Sequence, residues 1–166
     1  MNPIAQRLQP GTMTVLIDGP SGSGKTTLAK QLADITGFQL VHLDDFYPGW
    51  AGLARGRDMV AHDVLHPTRP GFRQWNWQED RPGDWVSLDP RRPMIVEGVG
   101  AISVPSVQAA AHRGTFLTVL VKAQSATRRE RALNRDSGFA PWWEMWASQE
   151  VEHFEQLPAV DLELWT

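Results

Sequence analysis

At 166 residues and 42% apolar content, the chain has enough material for one well-buried core and too little for two, so a single domain over residues 1–166 is expected. Sixteen Lys and Arg against nineteen Asp and Glu leave a net charge of −3, which supplies no general attraction to DNA or RNA, and no nucleic-acid partner is expected. The absence of Cys excludes disulfides and thiolate metal sites, while the short polar stretch Met1 to Gly11 is no signal peptide and no run is long enough to span a bilayer, so a cytoplasmic protein without a membrane partner is expected.

The first predicted strand is Thr12 to Asp18, β-branched and apolar as a strand covered on both faces should be. It runs into Gly19-Pro20-Ser21-Gly22-Ser23-Gly24-Lys25-Thr26, which fits G-x-x-x-x-G-K-[ST]. Glycines let successive backbone N–H groups turn around a polyphosphate, a Lys reaches the β- and γ-phosphates, and the hydroxyl of the last residue ligates Mg²⁺. Gly19, Ser21, Gly22, Ser23, Gly24, Lys25, Thr26 and Thr27 are therefore the candidate nucleotide-binding residues, with ATP and Mg²⁺ as the expected cofactors. A Gly/Ser-rich turn alone would require neither Lys25 nor Thr26. Leu28, Leu32 and Ile35 then recur at helical spacing, and Gly37 stands where a left-handed C-cap belongs.

A second strand, Phe38 to Leu43, ends on Asp44 and Asp45. In an open parallel sheet ligands sit beyond the carboxyl ends of the strands, so a carboxylate there can accept a substrate proton and help organise Mg²⁺; two adjacent Asp can also simply cap the next segment. Asp44, nearer the strand, is the candidate for both roles. Residues 48–92 are dense in Pro, Gly, Arg and Trp and read as a loop-rich, substrate-binding insert with one short helix from Asp58 to Leu65. Arg69, Arg73, Trp75 and Trp77 would suit a flat ring with polar edges, or equally the aromatic packing of an irregular segment. His62 and His66 lie four apart, a spacing that can bind zinc, but no third ligand is evident.

The third strand, Pro93 to Val96, closes on Glu97, a second candidate Mg²⁺ carboxylate. A helix from Ser103 to Arg113 and a strand from Thr115 to Val121 follow, then a helix from Ser125 to Arg135 that carries Arg128, Arg131 and Arg135 on one face. Three like charges in a stripe repel unless an anion such as triphosphate compensates them, or unless the face is solvated with Asp136 as partner. Arg129 points elsewhere. The last helix begins near Pro141, with Trp143, Ala147, Val151 and Phe154 as its expected core stripe and Trp142 and Trp146 on an adjacent face. Val160 to Trp165 could form a fifth strand at the sheet edge. Strands alternating with helices define an α/β fold, a three-layer αβα P-loop arrangement around a five-stranded parallel sheet.

In this order the motifs resemble the P-loop nucleoside kinases of the uridine/cytidine kinase type. Asp44-Asp45-Phe46-Tyr47 is similar to that family's Asp-Ser-Phe-Tyr signature, Val96-Glu97-Gly98-Val99 to its Glu-Gly segment, and Arg128 to Asp136 to its arginine-rich lid. The resemblance implies Asp44 as catalytic base, Tyr47 beside the substrate, Glu97 at Mg²⁺ together with Thr26, and a lid over 125–140 whose Arg128, Arg131 and Arg135 act with Lys25 on the phosphates. It also implies an ATP-dependent kinase whose acceptor is a hydroxyl-bearing small molecule, a nucleoside in the first place. The insert lacks the family's Asp-His-Pro segment, so a sugar acid or another alcohol remains an alternative, as does a nucleotide-dependent switch.

Overall fold

The computed structural model describes residues 2–166. In chain order its elements are β1 (Thr14–Asp18), α1 (Lys25–Thr36), β2 (Gln39–His42), α2 (Leu53–Met59), β3 (Gly71–Asn76), β4 (Arg81–Ser87), β5 (Met94–Glu97), α3 (Val104–Arg113), β6 (Phe116–Lys122), α4 (Ser125–Arg135), α5 (Trp143–Glu155) and β7 (Leu162–Trp165). Five strands form one sheet in the order β2-β5-β1-β6-β7, and every pair is parallel. The expected five-stranded parallel αβα fold is present, with the last strand at an edge. The chain leaves β1 toward one edge and returns past it to β6, which opens a crevice beside the carboxyl end of β1.

Alternation along the buried strands separates the two layers. Val15 and Ile17 of β1, Ile95 of β5 and Val119 and Val121 of β6 pack with Ala29 and Leu32 of α1 on one face. Leu16, Met94 and Val96 face the other way, against Ala110, Ala132, Trp143, Trp146 and the insert residues Leu53, Val60 and Val64. α1 ends at Gly37, whose φ of 72° is the left-handed cap, and its N–H donates to the Ala33 carbonyl. Ile35, although in phase with Leu28 and Leu32, is exposed on the solvent side of the helix.

Three expectations need correction. The insert is more ordered than a loop: β3 and β4 form an antiparallel hairpin with a bulge between Arg73 and Trp75, and Phe72 anchors it in the core. Helical structure begins at Leu53 rather than Asp58 and ends in a single π turn, Val60–Val64. In α5 the buried stripe is Trp143, Trp146, Glu150 and His153, whereas Val151 is 59% exposed. Two polar residues occupy that stripe because each has a buried partner near the first strand, and hydrophobic phase alone therefore points to a neighbouring face.

Candidate active site

The phosphate loop spans the turn from β1 into α1. Gly19, Gly22 and Gly24 all have positive φ, at 148°, 78° and 95°. A Cβ on Gly22 would collide with the Arg128 carbonyl, and one on Gly19 with the Val121 carbonyl, so these two positions exclude side chains by contact as well as by dihedral. Lys25 is buried, and its ammonium donates to the Pro20 carbonyl at 3.0 Å across the loop.

Beside the loop, the ends of β2 and β5 bring His42 and Glu97 together, and Thr26 of α1 joins them. Parallel pairing sets His42 beside Glu97, and the His42 Nδ1 lies 2.6 Å from Glu97 Oε1. The same oxygen accepts the Thr26 hydroxyl at 3.0 Å. Burial pushes the Glu97 carboxyl up, but the His42 hydrogen bond and the Lys25 charge outweigh it and hold the group below its ordinary range. His42 responds in the opposite sense, raised chiefly by its bond to Glu97 against the cost of its own partial burial. The hydroxyl of Thr26 and the carboxylate of Glu97 are hard oxygen donors, which fits Mg²⁺; that ion takes few protein ligands and completes its shell with phosphate and water. Among the described residues no group of three or more His, Cys, Asp or Glu is arranged to hold a metal. His62 and His66 are engaged locally: His62 Nδ1 lies 2.8 Å from the Asp58 carbonyl, and His66 Nδ1 accepts the Thr68 and Arg69 N–H groups.

A cleft of 410 Å³ runs from this cluster outward. Lys25, Thr26, Glu97, Asp44 and Arg135 line its polar end, and Tyr47, Trp50, Trp77, Phe139 and Trp146 its aromatic end. Asp44 sits in a short 3₁₀ turn, Leu43–Asp45, and is exposed along the cleft. The enclosing walls thin its hydration, and this desolvation together with the Glu97 charge raises its carboxyl above the ordinary value, while Lys25 and Arg135 pull it down. Tyr47 is buried, and burial raises its phenol, which stays protonated and donates to the Val99 carbonyl at 2.6 Å. The Trp77 indole donates to the Asp44 carbonyl at 2.9 Å, which ties the hairpin to the carboxylate-bearing turn. Trp50 stacks on Trp142 with centroids 5.8 Å apart and meets Phe139 at 5.0 Å and Trp77 at 5.3 Å, so aromatic contacts join the insert to the segment after α4.

The structure thus gathers Ser21, Lys25, Thr26, Asp44, Tyr47, Trp77, Glu97 and Arg135 around one cleft. Other candidates lie outside it. Arg69 is exposed on the surface of the insert. Arg73 donates to the Gly83 carbonyl within the hairpin and lies over the Trp85 ring, and Trp75 is half-buried against the hairpin. Arg128 donates to the Ser21 and Ala123 carbonyls, and Arg131 to the Gly22 carbonyl and the Thr166 hydroxyl. Asp136, by contrast, borders the cleft and accepts the Gly138 N–H. Sequence reasoning missed His42, Trp50, Phe139 and Trp146 as neighbours of the site. For His42 the available signal was its place at the end of a strand, beside a carboxylate once the two strands are put in register.

No protein-family model matches the chain. A stretch of 48 residues is 40% identical to a protein of Schizosaccharomyces pombe named a probable gluconokinase, covering 29% of this chain and 25% of that relative. Among solved structures the chain is similar to a possible uridine kinase from Bacillus stearothermophilus, with a TM-score of 0.60 and 17% identity over 97% of this chain and 92% of that one. It is also similar to a sugar kinase from Janibacter sp. HTCC2649, with a TM-score of 0.51 and 15% identity over 93% and 84% of the two chains. A gluconokinase from Sinorhizobium meliloti gives a TM-score of 0.50 at 16% identity, over 94% and 83%. At these identities the likeness is one of fold, the three-layer αβα P-loop fold described above.

Proposed function

We propose that the chain is an ATP-dependent kinase that transfers the γ-phosphoryl group to a hydroxyl of a small molecule. The observation that carries this reading is the Asp44 carboxylate, which borders the same cleft as Lys25, Thr26 and Glu97. A nucleotide switch has no acceptor to deprotonate and no need of that group. Lys25 and the loop amides hold the phosphates, and Thr26 and Glu97 hold Mg²⁺, which when bound neutralises charge on the phosphate oxygens. Asp44 orients the acceptor hydroxyl and takes its proton as the new P–O bond forms and the bond to the departing ADP breaks. Its raised carboxyl keeps it a better base than an ordinary Asp. Arg135 faces the reacting groups, whereas Arg128 and Arg131 grip the Ser21 and Gly22 carbonyls from behind the loop.

A nucleoside is the acceptor that the aromatic end of the cleft favours, since ring faces stack on a planar base. The 48-residue likeness to a probable gluconokinase supports a second reading, a sugar acid as acceptor. ADP release from Mg-ATP, measured across nucleosides, sugars, sugar acids and vitamin alcohols, separates the two. One class should stimulate turnover and yield a phosphate ester, and Lys25→Ala should reduce that rate by about 10²–10³-fold. If no alcohol stimulates release while a protein partner does, the switch reading replaces this one.

A further inference from the structure

α5 carries two buried polar residues that the chemistry above does not use. Glu150 is 5% exposed, and its Oε2 accepts the Ser21 N–H of the phosphate loop at 2.8 Å, across 129 positions of sequence. His153 is 2% exposed, and its Nε2 lies 2.8 Å from Asp18 Oδ2. Asp18 is the last residue of β1, fully buried, and it also accepts the N–H groups of Gly19, Gly100 and Ile102. One carboxylate therefore joins the start of the phosphate loop to the segment that follows Glu97, and His153 fixes that carboxylate from α5. Glu150 and His153 stand three apart on one helix face, one gripping the loop after its first turn and the other gripping the residue before it.

Burying these groups is costly, and their partners offset only part of it because His153 Nδ1 is buried without one, so the stripe does not act as generic core. Leu or Met at both positions would pack α5 without that cost. What the polar pair supplies and an apolar pair cannot is a fixed direction for the Ser21 amide and for the Asp18–Gly19 corner. We propose that Glu150 and His153 are positioning residues which splint the phosphate loop in its nucleotide-accepting shape; this rests on the nucleotide-binding reading of the site. Neither touches the reacting atoms. They act through the Ser21 amide and through Asp18.

The test is Mg-ADP binding to the whole protein by calorimetry, with melting temperature recorded for each variant. Glu150→Asp keeps the charge but draws the carboxylate back from Ser21, and Glu150→Leu removes the acceptor; each should weaken Mg-ADP by about tenfold, the usual effect of losing one buried charged hydrogen bond. Glu150→Gln keeps an acceptor oxygen at full reach and should stay within about threefold of the unaltered protein. His153→Gln can still donate to Asp18 and should rescue what His153→Leu loses. Leu65→Ala, in the core away from the loop, lowers the melting temperature and should leave Mg-ADP affinity unchanged in the folded protein. Undiminished affinity in folded Glu150→Asp and His153→Leu overturns the proposal, and so does an equal loss in Leu65→Ala, which would make the effect one of stability. Should the unaltered protein fail to bind Mg-ADP, the nucleotide reading itself falls and this inference falls with it.

Discussion

At the level of single residues, Glu97 is constrained from two sides, because one of its oxygens serves both Thr26 and His42. Its lowered carboxyl and the raised imidazole of His42 have opposite pH consequences for stability. His42, lifted above its ordinary 6.5, contributes fully below that value and loses its contribution as pH rises through the lifted one. Glu97, held below its ordinary 4.5, contributes above that value and loses its contribution as pH falls through the lowered one. The pair therefore stabilises most between 4.5 and 6.5. In protein free of nucleotide and Mg²⁺, His42→Gln should melt about 2–4 °C below the unaltered chain near pH 5.5, a cost of about 1 kcal/mol. Near pH 9 the gap should narrow, and a gap that widens toward alkaline pH would show that the pair does not titrate this way. The residues of the phosphate loop, Asp44 and Glu97 could all be found in the sequence, because each stands at a strand end or in a spaced motif. His42 could not, since its role depends on which strand lies beside β2, and that is decided by the crossover of the chain rather than by local spacing.

At the scale of elements, strands buried on both faces announce themselves by composition, and β1, β5 and β6 fall within two residues of their expected ends. The hairpin of β3 and β4 did not. Pro70, Gly71, Pro82 and Gly83 break its pattern, and its mostly exposed residues lack the apolar alternation of a half-buried strand. α5 shows the complementary failure, a correct helix with its buried face displaced toward polar residues. The displacement has a measurable consequence. Trp146→Ala, which empties a place against Tyr47 and Trp50, should cost about 3–5 kcal/mol, whereas Val151→Ala should stay within about 0.5 kcal/mol. Chemical denaturation of the two variants checks this, and equal losses would restore the stripe that hydrophobic phase alone suggests.

At the scale of the whole molecule, the sheet places the phosphate loop after β1, a carboxylate after β2 and another at the end of β5 on one edge, and the insert closes the space above them. Among the described residues no helix is long and apolar enough to cross a membrane. Because the phosphate loop and both carboxylates stand at strand ends, their meeting at one cleft was legible in the sequence, while the aromatic lining of that cleft was not. Trp50, Trp77, Phe139 and Trp146, which would face the proposed acceptor, come from three separated segments and meet only in three dimensions. On the proposed function Asp44 serves the acceptor rather than the nucleotide, and Mg-ADP binding measured beside phosphoryl transfer in Asp44→Asn separates the two roles. Nucleotide affinity should stay within about threefold of the unaltered protein, and phosphoryl transfer to the stimulating alcohol should fall by about 10²–10⁴-fold. Transfer at the unaltered rate would contradict the acceptor role.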